Sequence, residues 1–538
     1  MTNPADTDGA TAAAESAFPA PVPAEWRPSA NPWLIALAVM LPTFMEVLDT
    51  TVVTVSLPHI GGNLAATSEE ATWVLTSYLI SNAIVLPAAA WLGSVFGRRR
   101  FLFVCIGIFT IASAACGAAA SLGGIITARV LQGVGGGALQ PTAQAVLLES
   151  FPPARRGVAM AAFSMGVIVA PILGPTLGGW MTDNYSWRWI FYINLPIGVL
   201  AMMMTYSFVE DPPYLTRRSR GTMDYWGFLL LTIWLGTAQV VFDKGQQDDW
   251  FAAVWIRWAV AISLAAMIAF VIRELRTDEP IVDLRILGNR NFAAGVTGQW
   301  LLGFLLYATT SQLPLFLQTL LGYPALQSGL TVSPRGFGAL VSAFVVGRLI
   351  GIVDARLMLV TGLVLLSTSS FMYGHLSLDI TMRNVVWASI MNGAATGMIF
   401  VPLSTMALAR LRNQQMGNAA GIYNLMRNLG GSVGISVITT LLQRGAQAHQ
   451  TALVAHLTPY DPAYASWLDR AQSSLAPRSG VAAPAQAMGL LYGLVQQQAL
   501  LLAFVDNFRL VGYLALASVS LAFLFARVPR ARPVAGAH

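Results

Sequence analysis

Residues 48–58 read LDTTVVTVSLP, and the rest of the chain is best read outward from them. This stretch sets the carboxylate of Asp49 inside an apolar run long enough to cross a bilayer. A second acid, Glu46, stands three residues earlier on the same helical face. A charged carboxylate at mid-bilayer costs roughly 2.5–3.5 kcal/mol on insertion scales, so an acid in that place is a functional candidate by default. The cheapest way to keep it there is to protonate it. A group that gains and loses a proton within the membrane is what a proton-driven transporter needs.

The rest of the chain fits that setting. Of its 538 residues 55% are apolar and 10% charged, with mean hydropathy +0.61. A soluble domain carries about 25% charged residues, so the composition is that of an integral membrane protein, and the fold class expected is all-α. Apolar runs predict spans at 33–57, 71–92, 101–120, 124–148, 157–181, 189–209, 223–242, 252–272, 292–316, 327–350, 357–375, 384–409, 417–441 and 507–527, fourteen in all. Residues 1–32 are rich in Ala, Pro and acids, with no basic start before an apolar core. They read as a disordered tail and not as a signal peptide. With that tail in the cytoplasm, the arginines crowd the cytoplasmic segments, as at Arg98–Arg100, Arg155 and Arg156, and Arg217–Arg220, so both termini are expected inside.

The same reading excludes several functions. The 30 arginines behind a pI near 9.5 lie mostly in short loops, which speaks for topology and against nucleic acid. Lys244 is the only lysine and is followed by Gly245 and Gln246, so no ATP-binding phosphate loop exists in this sequence. Gly133, Gly135 and Gly137 lie within an apolar run without a preceding strand, which favours close helix packing over a dinucleotide site. The five histidines are scattered at or beyond span ends, so no metal site is expected. Cys105 and Cys116 share one span, eleven residues apart, and are read as packing residues. Neither a cofactor nor an enzymatic activity is expected.

Two segments fall outside the spans. Residues 210–222 read as a cytoplasmic linker. Residues 442–506 read as one long external loop, whose apolar second part (484–506) is expected to be an amphipathic helix lying outside the membrane plane.

Four motifs then stand in register: LDTTVVTVSLP (48–58), ARVLQGVGGG (128–137), GVIVAPILGPTLGG (166–179) and WRWIFYINLPIG (187–198). With SPRGFG (333–338) and YNLMRNLGGSVGIS (423–436) in the second half, the chain resembles the major facilitator superfamily. More narrowly it resembles the fourteen-span drug/proton antiporters of the EmrB/QacA type, and the long loop with the QQQA run at 496–499 is more similar to EmrB. The resemblance implies a six-helix bundle at 33–209, two inserted helices at 223–275, a second bundle at 291–527 and a cytoplasmic tail at 528–538. It also implies alternating access, in which the bundles rock about a central cavity.

The resemblance assigns roles residue by residue. Asp49 is the proton-coupling acid. Glu46 matches no motif position and is left to share the proton, contact a cationic substrate or face water; two acids a turn apart would titrate as a pair. Arg129 matches the RxxQG motif, which implies a buried partner for Asp49, whereas its place near a span end would also let it snorkel to the surface. Gln132 would contact cavity or substrate. Gly166, Pro171, Gly174, Pro175, Gly178 and Gly179 form the antiporter motif, expected at the rocking interface. Trp73, Tyr78, Trp300, Phe304, Tyr307 and Tyr423 are candidates to line a permissive cavity, and Arg335 and Arg427 to pair with a carboxylate or an anionic ligand group. The gating loop, roughly GxLaDRxGRR in the family, here reads AWLGSVFGRRR (90–100). Gly97, Arg98 and Arg99 survive, but Ser94 replaces the acid, so the salt bridge attributed to that acid cannot form.

The expected function is export of small hydrophobic or amphipathic drugs across a bacterial inner membrane in exchange for protons. One proton crossing about 150 mV supplies roughly 3.5 kcal/mol. The alternatives are a dedicated exporter of one metabolite, siderophore or dye, a proton-coupled importer, and a scaffold whose external loop docks a periplasmic membrane-fusion adaptor leading to an outer-membrane channel.

Overall fold

The computed structural model describes residues 28–212 and 224–525, apart from 67, 153–154, 279, 351, 410, 413–414 and 459. Most of the expected N-terminal tail, residues 213–222 of the linker and the tail at 528–538 therefore lie outside the described residues. A chain crossing lipid must satisfy its backbone polar groups internally, and this one does so with helices. In the first half these are α1 (Pro32–Asn63), α2 (Ser68–Phe96), α3 (Arg98–Ala118), α4 (Leu122–Gly136), α5 (Leu139–Ser150), α6 (Arg156–Asn184), α7 (Trp189–Tyr192) and α8 (Asn194–Phe208). The insertion is α9 (Tyr225–Lys244) and α10 (Val254–Arg276). The second half holds α11 (Arg290–Thr319), α12 (Ala325–Val332), α13 (Pro334–Leu349), α14 (Ala355–Tyr373), α15 (Met382–Leu408), α16 (Met416–Ala455), α17 (Pro462–Ser479) and α18 (Ala483–Ala517).

Among the described residues, 13 helical stretches are long and apolar enough to cross a membrane. The span expected at 124–148 supplies the fourteenth pass in two pieces, α4 and α5, which meet at Gly137 and Ala138 and are each too short to cross alone. Alternation of the passes brings both described ends to one face of the molecule, the terminal face. There Ser29 bonds to the Glu210 carboxylate, and Arg290 donates to the Leu524 carbonyl (2.9 Å).

The glycines of α4 act as the packing reading predicts. A side chain at Gly133 would run into Tyr78 and Ser81 of α2, so the two helices meet backbone to backbone. Both cysteines are buried and unpaired. The two bundles touch through α6 against α13, where Ile350 covers Gly157 and Ala161 meets Gly347, and through α16 against α2 and α5.

Residues 442–506 are not a loop. Helix α16 runs 40 residues without a break, about 60 Å at 1.5 Å per residue and twice the hydrocarbon thickness. The stretch 484–506 does not lie flat either. It is the first part of α18, continuous with the last span, because nothing in VQQQALLLAFVDNF (495–508) breaks a helix. The extensions of α16 and α18 therefore stand beyond the face opposite the termini, the far face, with α17 packed on α18. The insertion lies along the seam between the bundles. Helix α9 bonds to α2 through Asp243 and Thr76, and to α16 where Ser432 donates to Gln239 (2.9 Å).

Candidate functional site

Helix α1 carries both acids and keeps its other polar groups satisfied within the apolar phase. Thr50 and Thr54 donate to the carbonyls four residues back, at 3.0 and 2.9 Å, and Ser56 does the same at 3.2 Å. That leaves the carboxylates of Glu46 and Asp49 to be met by other helices, and they are met differently.

Asp49 belongs wholly to the first bundle. Its Oδ2 takes Nη1 of Arg129 at 2.6 Å, and neither side chain is exposed at all. Its Oδ1 accepts from Gln132 Nε2 (3.0 Å) and from Asn194 Nδ2 (2.8 Å). Arg129 also donates from Nε to the Val74 carbonyl (2.9 Å) and from Nη1 to Gln132 Oε1 (2.9 Å). Asn194 is held in turn by Ser113, which donates to the Phe191 carbonyl. The surface alternative for Arg129 is thus replaced by the buried one. Gln132 is corrected from a cavity contact to a fully buried donor for Asp49, because α4 closes on α2 and α3 at its glycines.

Glu46, which no motif singles out, reaches across the molecule. Its Oε1 accepts from the Tyr78 hydroxyl (3.2 Å) and from Asn82 Nδ2 (3.1 Å), and its Oε2 from Gln140 Nε2 (2.7 Å). The side-chain oxygen Oε1 of Gln140 accepts from Nη2 of Arg427, a residue of the second bundle. One turn along α5, Gln144 accepts from Asn424 Nδ2 of α16 at 2.7 Å. A carboxylate, an amide and a guanidinium therefore run in line from α1 through α5 to α16. Tyr78 ties the two acids together, since the Arg129 guanidinium lies 4.2 Å from the centre of the ring whose hydroxyl bonds Glu46.

Other candidates fall elsewhere. Trp73 stands at the far face, with the Lys244 ammonium of the insertion 5.7 Å from its ring centre, away from the acids. Trp300 and Phe304 stack at 6.0 Å on α11, and Gly430, Gly431 and Gly434 of α16 fit against Trp300, Tyr307 and Phe304. These three aromatics join two helices of one bundle. Tyr423 is fully buried one turn before Arg427. Arg335 is buried in the second bundle and donates to Thr310 Oγ1 (2.6 Å).

The antiporter motif is also relocated. Side chains at Gly174 and Gly178 would strike Thr51 and Val52, and Gly166 faces Met40, so this part of α6 packs on α1 beside Asp49. The contact of α6 with α13 named above lies at its other end. A side chain at Gly179 would meet open space, and α6 continues as helix through Pro171 and Pro175, the side chain of Pro175 lying outside the described set. At the gating loop Gly97 takes φ 82°, a left-handed turn that suits glycine. Arg98 forms a buried ion pair with Glu149 of α5, Arg99 N donates to Asp211 Oδ1 (2.9 Å), and Ser94 merely bonds the Trp91 carbonyl (2.7 Å).

The residues missed by motif reading are neutral: Asn82, Gln140, Gln144, Asn194 and Asn424. Amides inside apolar spans are themselves a signal, and Gln140 and Gln144 stand one helical turn apart.

Comparison with known proteins agrees with this architecture. Residues 39–435 match the Major Facilitator Superfamily. The chain is 36% identical over 427 residues to the fatty acid resistance protein FarB of Neisseria gonorrhoeae, covering 79% of this chain and 84% of FarB. It is 35% identical over 430 residues to the multidrug export protein EmrB of Escherichia coli K12, covering 80% and 84%. Among solved structures, the human organic anion transporter MFSD10 superposes with a TM-score of 0.57 at 13% identity, over 90% of this chain and 100% of that one, a likeness of fold.

Proposed function

The chain belongs to the major facilitator superfamily, and we propose that it is a proton-coupled exporter of hydrophobic or amphipathic compounds working by alternating access. That it is a multi-pass membrane transporter of the multidrug-efflux kind follows from its family and relatives. Proton coupling is our reading, and the line from Glu46 through Gln140 to Arg427 carries it.

The argument is one of charge. Asp49 faces a cation directly, while Tyr78, Asn82 and Gln140, which donate to Glu46, are all neutral, and Arg427 of the other bundle reaches it only through the Gln140 amide. Buried charge is costly unless matched, so the state of Glu46 depends on whether Arg427 is in place, and the reverse. A proton taken up at Glu46 removes the charge that draws Gln140 and Arg427 inward and releases one polar tie between the bundles. Loss of the proton restores it. Asp49 and Arg129 position Tyr78, and through it Glu46.

The cargo includes drugs, by likeness to EmrB, and amphipathic acids, by likeness to FarB. We place the protein in a bacterial inner membrane with the terminal face in the cytoplasm, as the arginine bias suggests. The far-face extension of α16, α17 and α18 would then offer its surface to a periplasmic adaptor and, through it, to an outer-membrane channel. The experiment is accumulation of a fluorescent drug in inside-out proteoliposomes under an imposed pH gradient. Native protein accumulates it; Glu46→Gln and Asp49→Asn lose the gradient dependence while drug–drug exchange persists. Gradient-driven accumulation undiminished in both variants refutes the proton-coupling reading.

A further inference from the structure

From Arg290 onward the chain contains no glutamate and five aspartates. Asp354 caps α14, Asp379 lies in the turn between α14 and α15, and Asp461, Asp469 and Asp506 belong to the far-face extension, where Asp506 bonds His449 at 2.8 Å. The spans of the second bundle nevertheless hold two buried arginines. Arg427 is met across the interface by the Gln140 amide with Glu46 behind it. Arg335 has no such arrangement. It is 6% exposed, its Nη1 donates to the neutral Thr310 hydroxyl, and its Nη2 has no hydrogen-bond partner among the described residues. An arginine keeps its charge at any accessible pH, and an unmatched buried charge is expensive to retain.

The backbone passes Arg335 as helix, since Ser333 between α12 and α13 is itself helical (φ -56°, ψ -29°) and 326–349 form one apolar stretch. Arg335 therefore stands ten residues into a span, well inside the apolar phase. A guanidinium fork fits a carboxylate in two-point contact. One turn further along α13 begins a groove of about 230 Å³ lined by Gly338, Val341, Val345, Met358 and Met398, which is almost wholly apolar.

We infer that Arg335 and the start of α13 form the head-group site for an amphiphilic anion, a carboxylate on an apolar tail. The inference rests on the exporter reading and names its preferred cargo, while the buried arginines of the second bundle disfavour cations.

The test is binding of dodecanoate, 1-dodecanol and dodecylammonium to the purified full chain in lipid nanodiscs. Native protein prefers dodecanoate over dodecanol by about 30-fold or more, the factor expected when a buried charge pair is formed. Arg335→Gln abolishes the preference and leaves dodecanol binding unchanged; Arg335→Lys, which keeps the charge without the fork, retains part of it. A preference that survives Arg335→Gln, or a native protein binding dodecylammonium as well as dodecanoate, overturns the inference. So does loss of the preference when gluconate is replaced by chloride, which would make the occupant a small inorganic anion. Selective binding through Arg335 without export of dodecanoate from vesicles would refute the exporter reading and leave the site standing.

Discussion

In the first bundle Asp49 and Arg129 lie 2.6 Å apart with neither exposed, whereas in the second bundle Arg335 and Arg427 are almost as deeply buried and none of the five aspartates of that half is buried. At mid-membrane the first half therefore carries one acid with its own counter-charge, Asp49, and one, Glu46, without. The second carries only positive charge. Glu46 and Arg427 offset each other only when the bundles are together, which makes their contact sensitive to anything that neutralises Glu46.

The comparison is broken most severely within the first bundle. Arg129→Gln leaves Asp49 buried without its cation and should lower stability by about 3–5 kcal/mol, read as thermal unfolding in detergent. Pairing it with Asp49→Asn should recover most of that loss; no recovery would show that Arg129 acts by packing on Tyr78 instead. Across the interface, Gln140→Leu strands the polar groups on both sides and should cost about 1–3 kcal/mol while abolishing gradient-driven accumulation. A variant that accumulates drug normally would mean that Glu46 and Arg427 are not linked through this amide.

Tyr78→Phe sharpens the contrast between the acids. It keeps the ring beneath Arg129 and deletes only the hydroxyl that bonds Glu46, so stability should fall by about 0.5–1.5 kcal/mol with a larger effect on proton coupling than on folding. The smallest effect is expected at the exposed far-face contact of Gln246 with Gln443 (2.6 Å), where Gln246→Ala should stay within about 0.5 kcal/mol and leave transport intact. A strong transport defect there would make the insertion an active strap between the bundles.

Much of this is legible in the sequence. Span positions follow from apolar length, since an apolar run of about 20 residues in lipid satisfies its own backbone as a helix, and Arg129 lies buried beside Asp49. What was not legible depends on which helices meet. A glycine run announces close approach without naming its partner, so Gly174 and Gly178 were expected at the rocking interface and pack on α1 instead. Aromatics such as Trp300 and Phe304 serve core and cavity equally well in composition. Gln140 carries no charge and belongs to no motif, and its importance appears only once α1, α5 and α16 converge. The extension beyond the far face is not legible, because length alone does not tell an interfacial helix from one that continues a span.

The most direct measurement is the distance between the bundles as a function of pH, by spin labels at the exposed Val158 of α6 and Leu349 of α13 with both native cysteines replaced. The account predicts that the native distribution shifts as pH falls and that Glu46→Gln shows the low-pH distribution at every pH. If Glu46→Gln still titrates as the native protein does, the carboxylate that holds the halves together lies elsewhere and the account fails.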